Sequence, residues 1–137
     1  MAYGLIVILL PISGLLMTQL YGPEYGAAIP IFMVHISSAL FTFLGIAQSK
    51  WIVTEGLQRY NFYARLMGLI SNIGLNLLLI PRYGGMGAAI ATLISYGVGS
   101  YLFFWITPAN RGNARLMTNA LVLPLRLPQT LRRLWPR

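Results

Sequence analysis

Few residues in this sequence are equipped for bond-making chemistry. There is no cysteine and no aspartate, the acidic residues are Glu24 and Glu55, and the single histidine is His35. Thiol nucleophiles, disulfides and Cys-based metal centres are excluded, and so is a local Asp–His relay. Serines are present, but no G-x-S-x-G elbow exposes one as a nucleophile. Gly84-Gly85-Met86-Gly87 is glycine-rich, yet it follows a proline turn and not a strand, which is the wrong setting for a phosphate loop. The expectation is a protein that is not an enzyme and that needs neither cofactor nor metal.

What remains is a set of amides and cations suited to recognition: His35, Gln48, Lys50, Arg59, Arg65, Asn72 and Asn76. Asn72 and Asn76 are four residues apart, with Gly68 and Ser71 on or near the same helical face. Amides in an apolar setting need partners, so this face looks into a helix bundle or lines a polar substrate path. His35 reads either as a satisfied buried or interfacial side chain or as a group that couples protons or touches substrate. Gln48, Lys50, Arg59 and Arg65 gather near one connection. They read as membrane anchors or as a cationic vestibule for an anionic lipid headgroup.

The elements that must position these groups are apolar. Of 137 residues 57% are hydrophobic and only 9% charged, and the mean hydropathy is +0.68. A soluble domain carries roughly a quarter charged residues, so the solvent for this surface is lipid. Four membrane segments are expected, at about 3–20, 27–53, 60–80 and 86–107, each long enough to cross a core of roughly 30 Å. Pro11 should kink the first segment, and Gly22-Pro23 should turn the chain. Pro81 should stop the third, and Arg82-Tyr83-Gly84-Gly85 should form a tight turn. The opening apolar run lacks a basic leader and a small-x-small cleavage site, so it reads as a retained segment.

Residues 108–137 differ in character and form a basic tail with six arginines. Pro124, Pro128 and Pro136 argue against one long helix. The tail reads either as lying on an anionic membrane surface or as unstructured. The net charge of +8 fits lipid headgroups better than nucleic acid, because the cations sit between and after the apolar runs. Alternating segments put nine of the ten basic residues on one side, leaving Arg82 alone on the other. The positive side is the cytoplasm, so the C-terminus is expected there, and Glu24 and Glu55 fall on opposite sides. In segment four, Gly87, Ala91, Ser95 and Gly99 recur every fourth residue. A face of small side chains permits close helix packing in lipid.

Two turns carry a resemblance. Leu20-Tyr21-Gly22-Pro23-Glu24-Tyr25-Gly26-Ala27-Ala28 is similar to the outer-turn pattern of the polysaccharide-biosynthesis flippases. Asn76-Leu77-Leu78-Leu79-Ile80-Pro81-Arg82-Tyr83-Gly84-Gly85-Met86-Gly87-Ala88-Ala89-Ile90-Ala91-Thr92 resembles the more specific signature of the same family. The family is the lipid-linked oligosaccharide flippases of O-antigen type, within the multidrug/oligosaccharidyl-lipid/polysaccharide exporter superfamily. The resemblance implies an all-α integral membrane protein whose four helices correspond to the last four of a MATE-like, two-bundle transporter of about twelve or more. It implies a bacterial inner-membrane location and an undecaprenyl-pyrophosphate-linked oligosaccharide as cargo for surface polysaccharide, such as lipopolysaccharide O-antigen. The remaining partners would be membrane lipids and the missing N-terminal helices. Gly22, Tyr25, Pro81, Gly84, Gly87 and Ala88 belong to the signature, and their roles look structural. A multidrug exporter of the same superfamily and a small four-helix membrane scaffold are the alternatives.

Overall fold

The structure, a computed structural model, describes residues 2–134 and the side chains of residues 3–108 and 110–122. Every element among them is helical. Helix α1 is Ala2–Tyr21, a 3-10 turn follows at Pro23–Ala28, and α2 is Ile29–Thr54. Helix α3, Gln58–Gly97, runs into a π-helical turn at Val98–Leu102 and the short α4, Phe103–Ile106. After a 3-10 turn at Pro108–Asn110, α5 covers Arg111–Leu134.

Three stretches are long and apolar enough to cross a membrane: Tyr3–Tyr21, Pro23–Thr54 and Gln58–Ile106. Their large side chains face outward, with Val7 69% and Leu77 72% exposed. Apolar surface on this scale is tolerable only against lipid, so this is a helical membrane protein. The third stretch has 49 residues, which is about 74 Å if straight and more than twice the bilayer core. It is not straight. Gly84 takes φ 55 and ψ −133 and breaks α3 into two limbs.

The sequence points to Pro81 as the stop, but the helix continues through Pro81 to Tyr83 and turns at Gly84. The physical reason is that a proline removes only its own N–H donor and crowds the turn before it. Reversing the chain requires a backbone conformation that only glycine reaches without strain. The limbs then lie antiparallel and almost in backbone contact. A Cβ on Gly87 would sit only 2.3 Å from the Leu79 carbonyl oxygen, and one on Gly99 would lie 3.0 Å from the Ala64 carbonyl oxygen. Gly68 faces Gly99 and the Ser95 carbonyl in the same way. The small residues therefore form the seam of a helical hairpin.

The two ends of this bundle are distinct. At the glycine end, the Gly84 turn meets the start of α2, where Ile31 lies against Gly85. At the arginine end, Ile52, Ala64, Phe104 and Ala114 form a buried cluster, with Trp51, Leu57, Phe103 and Trp105 packed around it. Ala114 belongs to α5, so the basic tail is docked on the bundle. Asn110, Asn113, Ala114 and Met117 are buried and fall on one helical stripe. The Tyr3 hydroxyl donates to the Leu121 carbonyl at 2.6 Å, and the Tyr101 and Thr118 hydroxyls meet at 2.9 Å.

The prolines expected to forbid a long tail helix do not do so. Pro124 and Pro128 lie inside α5, where each removes one of the backbone hydrogen bonds of a 24-residue helix. The docked stripe and the two tyrosine bonds supply tertiary support that a tail read in isolation lacks. Trp135, Pro136 and Arg137 fall outside the described residues.

Candidate functional site

Three helical faces carry polar residues at helical spacing. On the first limb of α3 these are Asn61, Arg65 and Asn72, interleaved with Gly68. The second limb and the π-helical turn supply Thr92, Ser95, Tyr96 and Ser100. Helix α2 brings Thr42 and Gln48, with Gly45 between them. The three faces converge on one cleft of about 480 Å³. Its inner surface is held open by small residues. Gly45 leaves room for Ser100, whose Oγ would lie 2.8 Å from a Cβ there. The π-helical turn, a device common near functional sites, contributes Gly99 and Ser100 to the lining.

The cleft's hydrogen-bonding character divides by residue type. Three of its hydroxyls spend their protons on their own helices: Thr42 on the Ser38 carbonyl at 3.2 Å, Thr92 on Ala88 at 2.9 Å, Ser95 on Ala91 at 2.6 Å. This is how hydroxyls satisfy themselves in lipid, and it leaves their lone pairs as acceptors. Donors come from the amides, the guanidinium and the Tyr96 and Ser100 hydroxyls. The Gln48 side chain is 97% buried, lines the cleft, and its Nε2 has no hydrogen-bond partner. A buried unpaired amide costs about 1–3 kcal/mol, a cost that a polar ligand in the cleft would relieve. Asn76 donates from Nδ2 to Asn72 Oδ1 at 2.9 Å, which orients Asn72 in the lining. Arg65, exposed at the cleft, reaches Ser49 Oγ only at 3.4 Å, so its charge remains available.

Of the sequence-selected residues, Gln48, Arg65 and Asn72 come together here, and Asn76 stands behind Asn72. His35 and Lys50 are exposed on α2 and do not line the cleft. Arg59 lies over the Tyr60 ring at 5.0 Å, outside the lining. The turn residues are away from the cleft too. Gly22 holds φ 99, and Tyr25 packs on Tyr21 with ring centres 5.7 Å apart. Pro81, Gly84 and Gly87 form the reversal, Ala88 and Ala91 follow in the second limb, and Ser95 and Gly99 join seam to cleft. Sequence reading missed Asn61, Tyr96 and Ser100. The signal was present for Asn61, since 61, 65, 68 and 72 repeat at one helical face.

No family model matches the chain, and no solved structure is similar to it. Two curated proteins are. The capsular polysaccharide biosynthesis protein CapF of Staphylococcus aureus is 33% identical over 92 residues, covering 66% of this chain and 23% of that protein. An uncharacterized membrane protein of Methanocaldococcus jannaschii is 32% identical over 89 residues, covering 63% of this chain and 17% of its own length. The chain thus spans a quarter or less of each relative. Similarity to a membrane protein of archaeal origin and to a polysaccharide biosynthesis protein fits the apolar helices and is compatible with a role in polysaccharide biosynthesis.

Proposed function

We propose that this chain supplies four membrane crossings of a transporter that carries a lipid-linked polysaccharide precursor across a bacterial inner membrane. In this reading it is part of one bundle of a MATE-like, two-bundle protein, and its role is transport and not catalysis. The carrying observation is the cleft: a groove lined by hydroxyls, amides and, among the described residues, the single cation Arg65, set among helices whose other faces are apolar. A path for a glycan needs acceptors and donors for hydroxyl groups. The threonine and serine oxygens and the Gln48, Asn61 and Asn72 amides offer them. Arg65 offers a charge to a phosphate.

Each limb of the hairpin crosses once, and the arginine end faces the cytoplasm, where Lys50, Arg59, Arg65, Arg111 and Arg115 satisfy the positive-inside tendency. Among the described residues no carboxylate lines the cleft, which favours an anionic or hydroxyl-rich cargo over a cationic drug. The similarity to a capsular polysaccharide biosynthesis protein supports the same cargo class. The remaining walls of the path come from helices outside this chain.

The test is a chimera in which this chain replaces the matching stretch of the staphylococcal relative, expressed in a strain lacking that relative. Restored capsule is expected, with capsule lost again on Asn72→Leu or Arg65→Gln despite normal membrane insertion. An inserted chimera that makes no capsule, or one indifferent to both substitutions, overturns the proposal.

A further inference from the structure

The docked face of α5 accounts for one side of that helix, and its other side is built differently. Arg111 and Arg115 are exposed one turn apart, followed by Leu116, which is 62% exposed. Like charges at this spacing repel and weaken a helix. The chain offers little to neutralise them. Glu24 lies in the turn at the glycine end, and Glu55 is the only acid at the arginine end, against Lys50, Arg59, Arg65, Arg111 and Arg115.

The position of the helix names what faces this pair. Thr107 is extended (φ −88, ψ 112) before Pro108, and this turns the chain directly where the apolar stretch ends at Ile106. The Tyr101–Thr118 and Tyr3–Leu121 bonds then hold α5 across the bundle, from the end of the third apolar stretch to the beginning of the first. A helix tied to the ends of two membrane-crossing stretches lies at headgroup level and does not extend into water. We propose that α5 is a membrane-surface strap that binds anionic phospholipid headgroups through Arg111 and Arg115. Leu116 enters the acyl boundary beside it. Arginine suits this task because its guanidinium pairs bidentately with phosphate, and exposed leucine beside arginine is the composition of interfacial helices.

The chain has no cysteine, so Asn119→Cys, at an exposed position of α5, takes a single environment-sensitive fluorophore. The whole chain is reconstituted in phosphatidylcholine vesicles containing increasing phosphatidylglycerol. The expected result is a blue-shifted, quencher-protected probe as the anionic lipid rises, reversed by high salt. Each surface arginine contributes roughly a fivefold preference for anionic lipid. Arg111→Gln with Arg115→Gln should therefore shift the midpoint by at least about tenfold. A probe that responds equally in neutral and anionic vesicles overturns the proposal. So does a probe that ignores salt in the otherwise unaltered chain, or a midpoint that the paired substitution leaves in place.

Discussion

The two ends of the bundle are closed by opposite means. At the glycine end, backbone meets backbone: Gly84 reverses the chain, and Gly87 lets one limb lie on the carbonyls of the other. At the arginine end, closure is by side chains, with Ile52, Ala64 and Phe104 packed against Ala114 of a helix held by tyrosine hydroxyls. A backbone contact has no rotamers with which to adapt, so one added carbon is decisive. A side-chain contact can repack and loses only what is removed. The first kind of closure confines the sequence to a short, recognisable string, whereas the second leaves it free.

Substitutions can sharpen or break this contrast. The largest effect is expected from Gly87→Leu, whose Cβ alone would overlap the Leu79 carbonyl. No folded protein should be recovered from membranes, and a normal yield with an intact helical signal would refute the backbone-seam account. Gly84→Ala comes next. It meets no neighbour within 4 Å, so its cost is conformational alone, about 1–3 kcal/mol in an SDS titration from mixed micelles. At the other end, Tyr101→Phe removes one hydroxyl contact and should cost about 0.5–1.5 kcal/mol. A loss as great as that of Gly84→Ala would erase the distinction between the ends. The smallest change is expected from Gly74→Ala, in the open first limb with nothing within 4 Å. It should be neutral or stabilising by up to about 1 kcal/mol, and destabilisation there would reveal a close contact on that face.

Legibility in the sequence follows the same division. The apolar runs, the small-residue face of the second limb and the Asn72–Asn76 pair were readable because helical period and lipid leave few alternatives. The reversal was legible as a turn over Arg82–Gly85, which contains Gly84, but the helix stop was not, since Pro81 is the louder signal and the helix runs on through it. The cleft was half legible. Gln48, Arg65 and Asn72 stood out as polar residues in apolar surroundings. Tyr96 and Ser100 did not, because their place depends on α2 meeting a π-helical turn that no local pattern announces. Lys50 and Arg59 share composition with Arg65 but not its facing, and one charge among several near a helix end does not reveal which points inward. The docking of α5 was the least legible, because two prolines argue locally against a helix that tertiary contacts support.

The break at Gly84 also bears on how such a chain enters a membrane. The first limb carries Arg65, Asn72 and Asn76, a costly set for a helix alone in hydrocarbon. The second limb has no charge and brings the small faces and hydroxyl lone pairs against which that set is arranged. Asn72 has Asn76 on its own limb and Arg65 has Ser49 on α2, but the hydroxyl face opposite them arrives only with the later limb. The expectation is therefore that the hairpin, and not the single helix, inserts as the unit, with the polar limb waiting for its partner.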